Sequence, residues 1–337
     1  MRRLVAPLTA VVAAAALASI RAADGPPPWA YGFVGPAAPA PPSAAPPAAP
    51  VAGRGAGAPE DTSLRRLPGS SGAFTLAQIR DAFGPADWYP EDHPQMPDVV
   101  AHGRRPDVRA CGLCHYPNGK GRPENAGVAG LPYSYFIQTM ADFRNDARKS
   151  ADLRKANTNI MIAIAKGMTD EEIKAAARYF SSMKWTPWIK VVEADVVPKT
   201  RIAGGMFLRL EGSETEPIAG RIIETPDDVE RTEVLRDPRS GFTAYVPVGS
   251  VKRGEALVTT GAGRTTACGV CHGSDLRGLG PVPGLAGRSP SYTVRQLYDM
   301  QAGTRRGEWT DLMKPVVAKL TTDDMVAIAA YTASRTP

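Results

Sequence analysis

The chain has 337 residues, 43% apolar and 22% charged, with 33 glycines, 32 prolines and a net charge of +6. At roughly 100–200 residues per domain this is room for two domains, and a mean hydropathy of −0.21 excludes a polytopic membrane protein. The basic excess is too small and too dispersed to make nucleic acid a ligand.

The chain opens on Met1-Arg2-Arg3 and a charge-free run from Leu4 to Ala18, with small residues through Ala22-Ala23. Basic start, short apolar run and small cleavage residues predict a signal peptide over 1–23. The alternative is an uncleaved N-terminal anchor. Export implies a periplasmic protein, soluble or peripherally membrane-associated, outside the cytosolic reducing pool. Residues 26–60 then carry 11 prolines among alanine and glycine. Such composition cannot fill a core, so 24–69 is expected to be a disordered spacer. The folded part is expected near Ser70, where Phe74, Leu76, Ile79 and Phe83 follow helical spacing around a Thr75 cap.

Charge divides the remainder. Residues 111–190 hold 12 basic and 7 acidic side chains, a net of +5; 191–250 hold 7 and 11, a net of −4; 251–337 hold 11 and 7, a net of +4. The acidic middle contains Arg221-Ile222-Ile223 and Phe242–Val246 between glycines and prolines, the pattern of short strands or a hairpin. The basic flanks are an internal repeat. An offset of 157 carries Cys111, Cys114 and His115 onto Cys268, Cys271 and His272, Tyr135 onto Tyr292, and Arg148 onto Arg305. An offset of 152 then carries Met161 onto Met313, Thr169 onto Thr321 and Tyr179 onto Tyr331. Such duplication implies two copies of one unit, a first domain over 70–190 and a second over 251–337.

All four cysteines fall in two Cys-x-x-Cys-His motifs, 111–115 and 268–272. This is the spacing of c-type haem attachment. Thiols one helical turn apart reach both vinyl groups of a porphyrin, and the following histidine lies under the iron. A thioredoxin-like site lacks its βαβ setting here. One Cys₄ zinc site would need pairs more than 150 residues apart to converge. Two disulfides would each close a strained, very short loop. The reading is therefore two haem c groups, held by Cys111 and Cys114, and by Cys268 and Cys271, with His115 and His272 as axial ligands. For the sixth ligand each repeat offers three methionines: Met140, Met161 and Met168, then Met300, Met313 and Met325. Only Met161 and Met313 coincide under the repeat, each eight residues before a helix cap at Thr169 or Thr321. They are the expected second axial ligands, and the others read as core. His93 and His102 have no repeat partner and read as surface or loop residues.

These motifs resemble the class I cytochrome c family, and most closely its tandem dihaem periplasmic members. The second unit carries most of the likeness, with Pro283-Gly284-Leu285-Ala286-Gly287, Tyr292, Gln296-Leu297, Gly303 and Arg305, and Met313 before a closing helix. The resemblance covers residues 105–185 and 251–335. It implies a mainly α fold, two class I cytochrome c-type haem domains in tandem joined by an insert with a few short β-strands. It also implies that the Pro283 carbonyl fixes His272, with Ala126 at the aligned position for His115. Tyr135, Tyr292, Arg148 and Arg305 are further haem-pocket candidates. In such tandem relatives the units are joined briefly; here 186–250 intervene, so direct packing of the units does not follow.

The expected function is exported single-electron transfer through two His/Met-ligated haems, without catalysis by this chain. The alternatives are a dihaem cytochrome c peroxidase-like enzyme, which needs an open iron, and a non-catalytic cytochrome subunit of a membrane dehydrogenase or oxidase complex. The basic units predict redox partner proteins, an oxidase or a dehydrogenase, with acidic docking surfaces. Membrane association would come through a partner or an uncleaved N-terminus.

Overall fold

A computed structural model describes residues 25–36 and 61–337. The expected signal peptide and most of the proline-rich segment lie outside the described residues. Each repeat builds the same helical order. In the first, the attachment helix Cys111–His115 is followed by Tyr133–Arg144, Ala156–Gly167 and Asp170–Ser182. The second has Ser250–Thr260, the attachment turn Gly269–His272, Pro290–Gln301, Lys314–Val317 and Thr322–Ser334. Local chemistry sets the starts of both closing helices. Thr169 and Glu172 form a reciprocal capping box, and Thr321 and Asp324 form its counterpart.

The helices bury apolar faces spaced three and four apart. Phe136, Met140 and Phe143 meet Ile164, Met168, Ile173, Ala176, Ala177 and Phe180 in the first core. In the second, Leu257 and Val258 meet Val294, Leu297 and nearly the whole length of Thr322–Ser334. Gly254 lets the first and last helices of this unit touch, because a Cβ there would stand 2.0 Å from the Ala327 carbonyl oxygen. The helix before the first attachment motif is a single turn, Asp98–Ala101. Pro97 precedes it, and Gly103 leaves it at φ +65°.

Residues 189–246 form β-structure. Ile189–Glu193 runs parallel to Phe242–Val246, which pairs antiparallel with Ile223–Pro226. The two runs singled out in sequence are thus neighbours, but a turn at Glu230–Val234 separates them and they do not form a hairpin. The hairpin of this region is Thr200–Ala203 with Met206–Arg209, closed by Gly204 and Gly205 at φ +58° and +84°. Strand alternation sends Phe207 into the second unit's core while Met206 and Leu208 pack with Trp188 and Phe242. Val197, Ile218, Ile222, Ile223 and Val246 join that same second core.

The expected spacer over 24–69 is corrected at both of its described ends. Trp29, Ala30 and Tyr31 are buried in the second unit's core. The Tyr31 hydroxyl donates to Asp299 Oδ1 at 2.7 Å, and Arg295 donates to the Ala30 carbonyl at 2.6 Å. Two aromatic side chains supply the apolar area that proline and alanine lack. At the other end, Arg65 pairs with Phe74, and Leu67 packs against Ile79, Trp88 and Tyr89. The expected helix near Ser70 is one turn, Leu76–Ile79, with Thr75 and Gln78 capping reciprocally.

Candidate functional site

The two attachment motifs sit on helical turns, which brings each cysteine pair to one face with the histidine just beyond. After each histidine the chain leaves through positive φ, +61° at Tyr116 and +82° at its repeat equivalent Gly273. The loop then returns a carbonyl to the imidazole. His115 Nδ1 lies 2.8 Å from the Ala126 oxygen, and His272 Nδ1 lies 2.7 Å from the Pro283 oxygen. A carbonyl only accepts, so Nδ1 carries the proton and Nε2 is left with its lone pair. Burial pulls both imidazoles below the ordinary histidine value, against the effect of these hydrogen bonds. Neutral imidazole with a fixed ring and a free Nε2 is the donor an iron ligand requires.

The thiols fit covalent attachment. Burial pushes Cys111 up to about 12 and Cys268 up to about 11, which leaves them poor thiolate ligands. Among the described residues no group of three or more His, Cys, Asp or Glu is arranged to hold a metal ion, so the cysteine pairs do not converge on one Cys₄ site. Met140, Met168 and Met325 are buried core side chains, whereas Met161, Met300 and Met313 are only partly buried against their respective cores. The donor set of each unit therefore fits haem c: two thiols, an oriented imidazole and at least one thioether that the core does not enclose.

With this geometry the chain was compared with known proteins. No protein-family model matches it. Cytochrome c4 of Azotobacter vinelandii is 32% identical over 226 residues, covering 66% of this chain and 82% of that protein. The chain belongs to the cytochrome c4 family. It is therefore a tandem dihaem class I cytochrome c, a mainly helical electron-transfer protein with haem c as cofactor. The thiosulfate dehydrogenase electron acceptor of Stutzerimonas stutzeri (strain A1501) is 25% identical over 236 residues, 69% of this chain and 82% of that protein. Reduced recombinant cytochrome c4 from Pseudomonas stutzeri aligns with 67% of this chain and 93% of its own at 21% identity and a TM-score of 0.43.

In this member of the cytochrome c4 family the two haem units pack directly on each other despite the long intervening segment. The seam follows the repeat. Lys149 N donates to the Thr304 carbonyl at 2.8 Å and Arg306 N to the Ala147 carbonyl at 2.6 Å, around a backbone pairing of Arg148 with Arg305. Residues equivalent under the 157 offset thus face one another, as in an isologous interface. Arg148 donates to the Tyr292 hydroxyl and to Gln296 Oε1, both at 2.9 Å. Arg305 donates to the Tyr135 hydroxyl at 2.8 Å and to the same Gln296 oxygen at 2.9 Å. These four residues, haem-pocket candidates from the resemblance, form one cluster at the seam. Burial acts to raise the Tyr135 phenol, but the Arg305 and Arg148 guanidiniums bring it down to about 8.

Sequence reasoning missed other seam residues. Arg288 donates to the Gly127 and Ala129 carbonyls at 2.9 and 3.0 Å, and Arg295 donates to the Pro123 carbonyl at 2.7 Å. Both arginines lack a counterpart in the first unit (the offset places them on Leu131 and Gln138), so the repeat gave no signal for them.

His102 is exposed and His93 lies in a loop, both as expected, but the His93 imidazole is not open to solvent. Its side chain is only 4% exposed, with Nε2 3.2 Å from Asp87 Oδ1 and Nδ1 2.8 Å from the Pro94 carbonyl. Burial acts to lower its pKa, yet the two hydrogen bonds prevail and raise it above 6.5. A raised folded value means the pair's contribution to stability is complete below about pH 6.5 and is lost as pH climbs through the folded pKa. An NMR titration of the His93 ring protons should give a midpoint above 6.5 that falls in Asp87→Asn; an unmoved midpoint would refute the pairing.

Proposed function

We propose that this chain is an exported carrier of single electrons, with one haem c ligated by His115 and Met161, the other by His272 and Met313, and no catalysis of its own. The observation that carries this reading is the matched pair of sites, in which each imidazole is fixed through Nδ1 to a backbone carbonyl; Met161 and Met313 are the one pair of candidate methionines that coincide under the repeat, and both are partly buried. Haem c supplies one-electron exchange between ferrous and ferric iron. The chain's own residues hold both ligands in place through that exchange: Ala126 and Pro283 orient the imidazoles, and the two helical cores exclude water from one face of each site. With Met161 and Met313 as second ligands, neither site would offer an open position to peroxide.

Export is supported by Met1-Arg2-Arg3 and the apolar run after it. Among the described residues no helix is long and apolar enough to cross a membrane. The similarity to electron acceptors of thiosulfate dehydrogenase supports a dehydrogenase as redox partner, and the net positive charge of both units favours docking onto an acidic surface.

A redox titration of the purified holoprotein, followed at the haem α-band together with a haem count, tests the reading. The expected result is two covalently bound low-spin haems that titrate as one-electron centres. A high-spin component in the resting or half-reduced protein, or turnover of peroxide, would replace this reading with the dihaem peroxidase-like one.

A further inference from the structure

We propose that Arg236, in the acidic segment between the units, raises the reduction potential of the first haem site. The inference rests on the two-haem reading above. It starts from an asymmetry between two otherwise equivalent motifs. In the second unit the attachment turn is open: Val270 is 68% exposed and Cys271 is exposed. In the first unit the same turn is covered by residues 235–239. Asn118 donates to the Pro238 carbonyl at 3.1 Å, and Trp88 Nε1 donates to the Leu235 carbonyl at 2.8 Å, which fastens the cover on both sides.

At the centre of the cover, Arg236 donates through Nη2 to the carbonyl of Leu113, inside the turn that joins Cys111 to Cys114. Its guanidinium also lies over the Tyr116 ring, 5.7 Å from the centroid. The backbone reaches this position at φ +54°, a left-handed conformation unfavourable for a side chain with a Cβ. The surrounding fold therefore holds Arg236 there against a local preference.

Charge is what distinguishes this contact. The neighbouring charged groups are paired with one another: Arg122 with Glu124 at 2.5 Å, and Arg231 with Asp237 at 2.6 Å. Arg236 has no ion-pair partner among the described residues, and arginine does not deprotonate in proteins. An unneutralised positive charge, partly buried beside the first attachment turn, is thus a fixed feature of that site alone. Ferric iron carries one more positive charge than ferrous iron. A nearby cation in a weakly screening environment disfavours the ferric form, so the potential rises. No proton and no bond change is involved, only one electron supplied by the redox partner.

The test is a spectroelectrochemical titration of the full-length holoprotein as wild type, Arg236→Gln and Arg236→Lys, with the haem α-band read at each potential. Glutamine keeps a donor for the Leu113 carbonyl without the charge, and lysine keeps the charge without the planar fork. In R236Q one of the two one-electron waves should fall by about a tenfold change in its equilibrium, 59 mV for one electron, while the other stays. R236K should retain the wild-type value. Two waves that both stay in R236Q would overturn the inference, and so would an R236K wave displaced as far as that of R236Q, since placement rather than charge would then be responsible. A wild-type protein that carries fewer than two haems by a haem count would overturn the two-haem reading and this inference with it.

Discussion

Replacing Met161 or Met313 by alanine is expected to remove, from the corresponding haem only, the near-infrared absorption of methionine-ligated ferric iron, and to lower that haem's potential. The shift should be on the order of hundreds of mV, because axial ligation moves haem potentials over about 0.8 V. Thioether sulfur favours ferrous iron; water or a nitrogen ligand in its place favours ferric iron. A contrast in the first unit and a control in the second make the test specific: Met300 is partly buried like Met313, and Met300→Ala should leave the band in place. Met140 and Met168 are 4% and 5% exposed, and Met325 is fully buried. They fill cores, and Met140→Ala should leave the spectrum intact while costing about 2–5 kcal/mol of stability through the cavity it leaves. Met161 and Met313 are only partly buried, so their loss should register in spectrum and potential rather than chiefly in stability. A near-infrared band unchanged in both variants would sink the His/Met assignment.

The second large effect is on folding. Tyr31→Ala should destabilise the holoprotein by about 3–5 kcal/mol, the range for truncating a buried large aromatic. Tyr31 is fully buried, although Trp29–Tyr31 sits in a proline-rich segment some 260 residues from the helices that it packs against. Its hydroxyl is one of two donors to Asp299 Oδ1; the other is Ala151 N at 2.8 Å, from the first unit. Asp299 is itself buried, and that burial holds its carboxyl above the usual range. Losing the hydroxyl alone, in Tyr31→Phe, should still cost about 1–3 kcal/mol, since a buried acceptor loses a partner. Against a total stability of about 5–15 kcal/mol, the alanine variant removes a large share. Denaturant unfolding of the two variants beside the wild type measures both. A Tyr31→Ala midpoint equal to that of the wild type would show that the segment does not bind in solution as it does here.

What could be read from the sequence was encoded within a few residues or by repetition. Cys-x-x-Cys-His needs five consecutive positions, and the capping boxes at Thr169 and Thr321 need four. The 157 and 152 offsets singled out Met161 and Met313 by exclusion. The carbonyl for each histidine came from resemblance, and the geometry shows that Ala126 serves where the second unit has Pro283. That substitution is tolerated because the bond uses a backbone oxygen, which every residue carries. The proline-rich segment misled because composition averages over a window. Trp29 and Tyr31, two aromatics among prolines, were the signal that part of it folds.

The seam and the cover lay beyond such reading. Arg148 and Tyr292 are 144 residues apart, and Arg236 and Leu113 are 123 apart; no local pattern links such pairs. The repeat marked Tyr135 and Tyr292, and Arg148 and Arg305, as equivalent but not as neighbours, because sequence shows which positions are alike and not whether the two copies touch. The sequence by itself determined the two attachment motifs, the histidine of each and the helices that carry them, since each depends on neighbours along the chain. Only the tertiary structure decided that the copies meet about their equivalent arginines, that the N-terminal aromatics complete the second core, and that one attachment turn is covered by a charged residue while the other lies open. Those outcomes depend on packing between distant segments, where burial and charge are fixed by the folded chain as a whole.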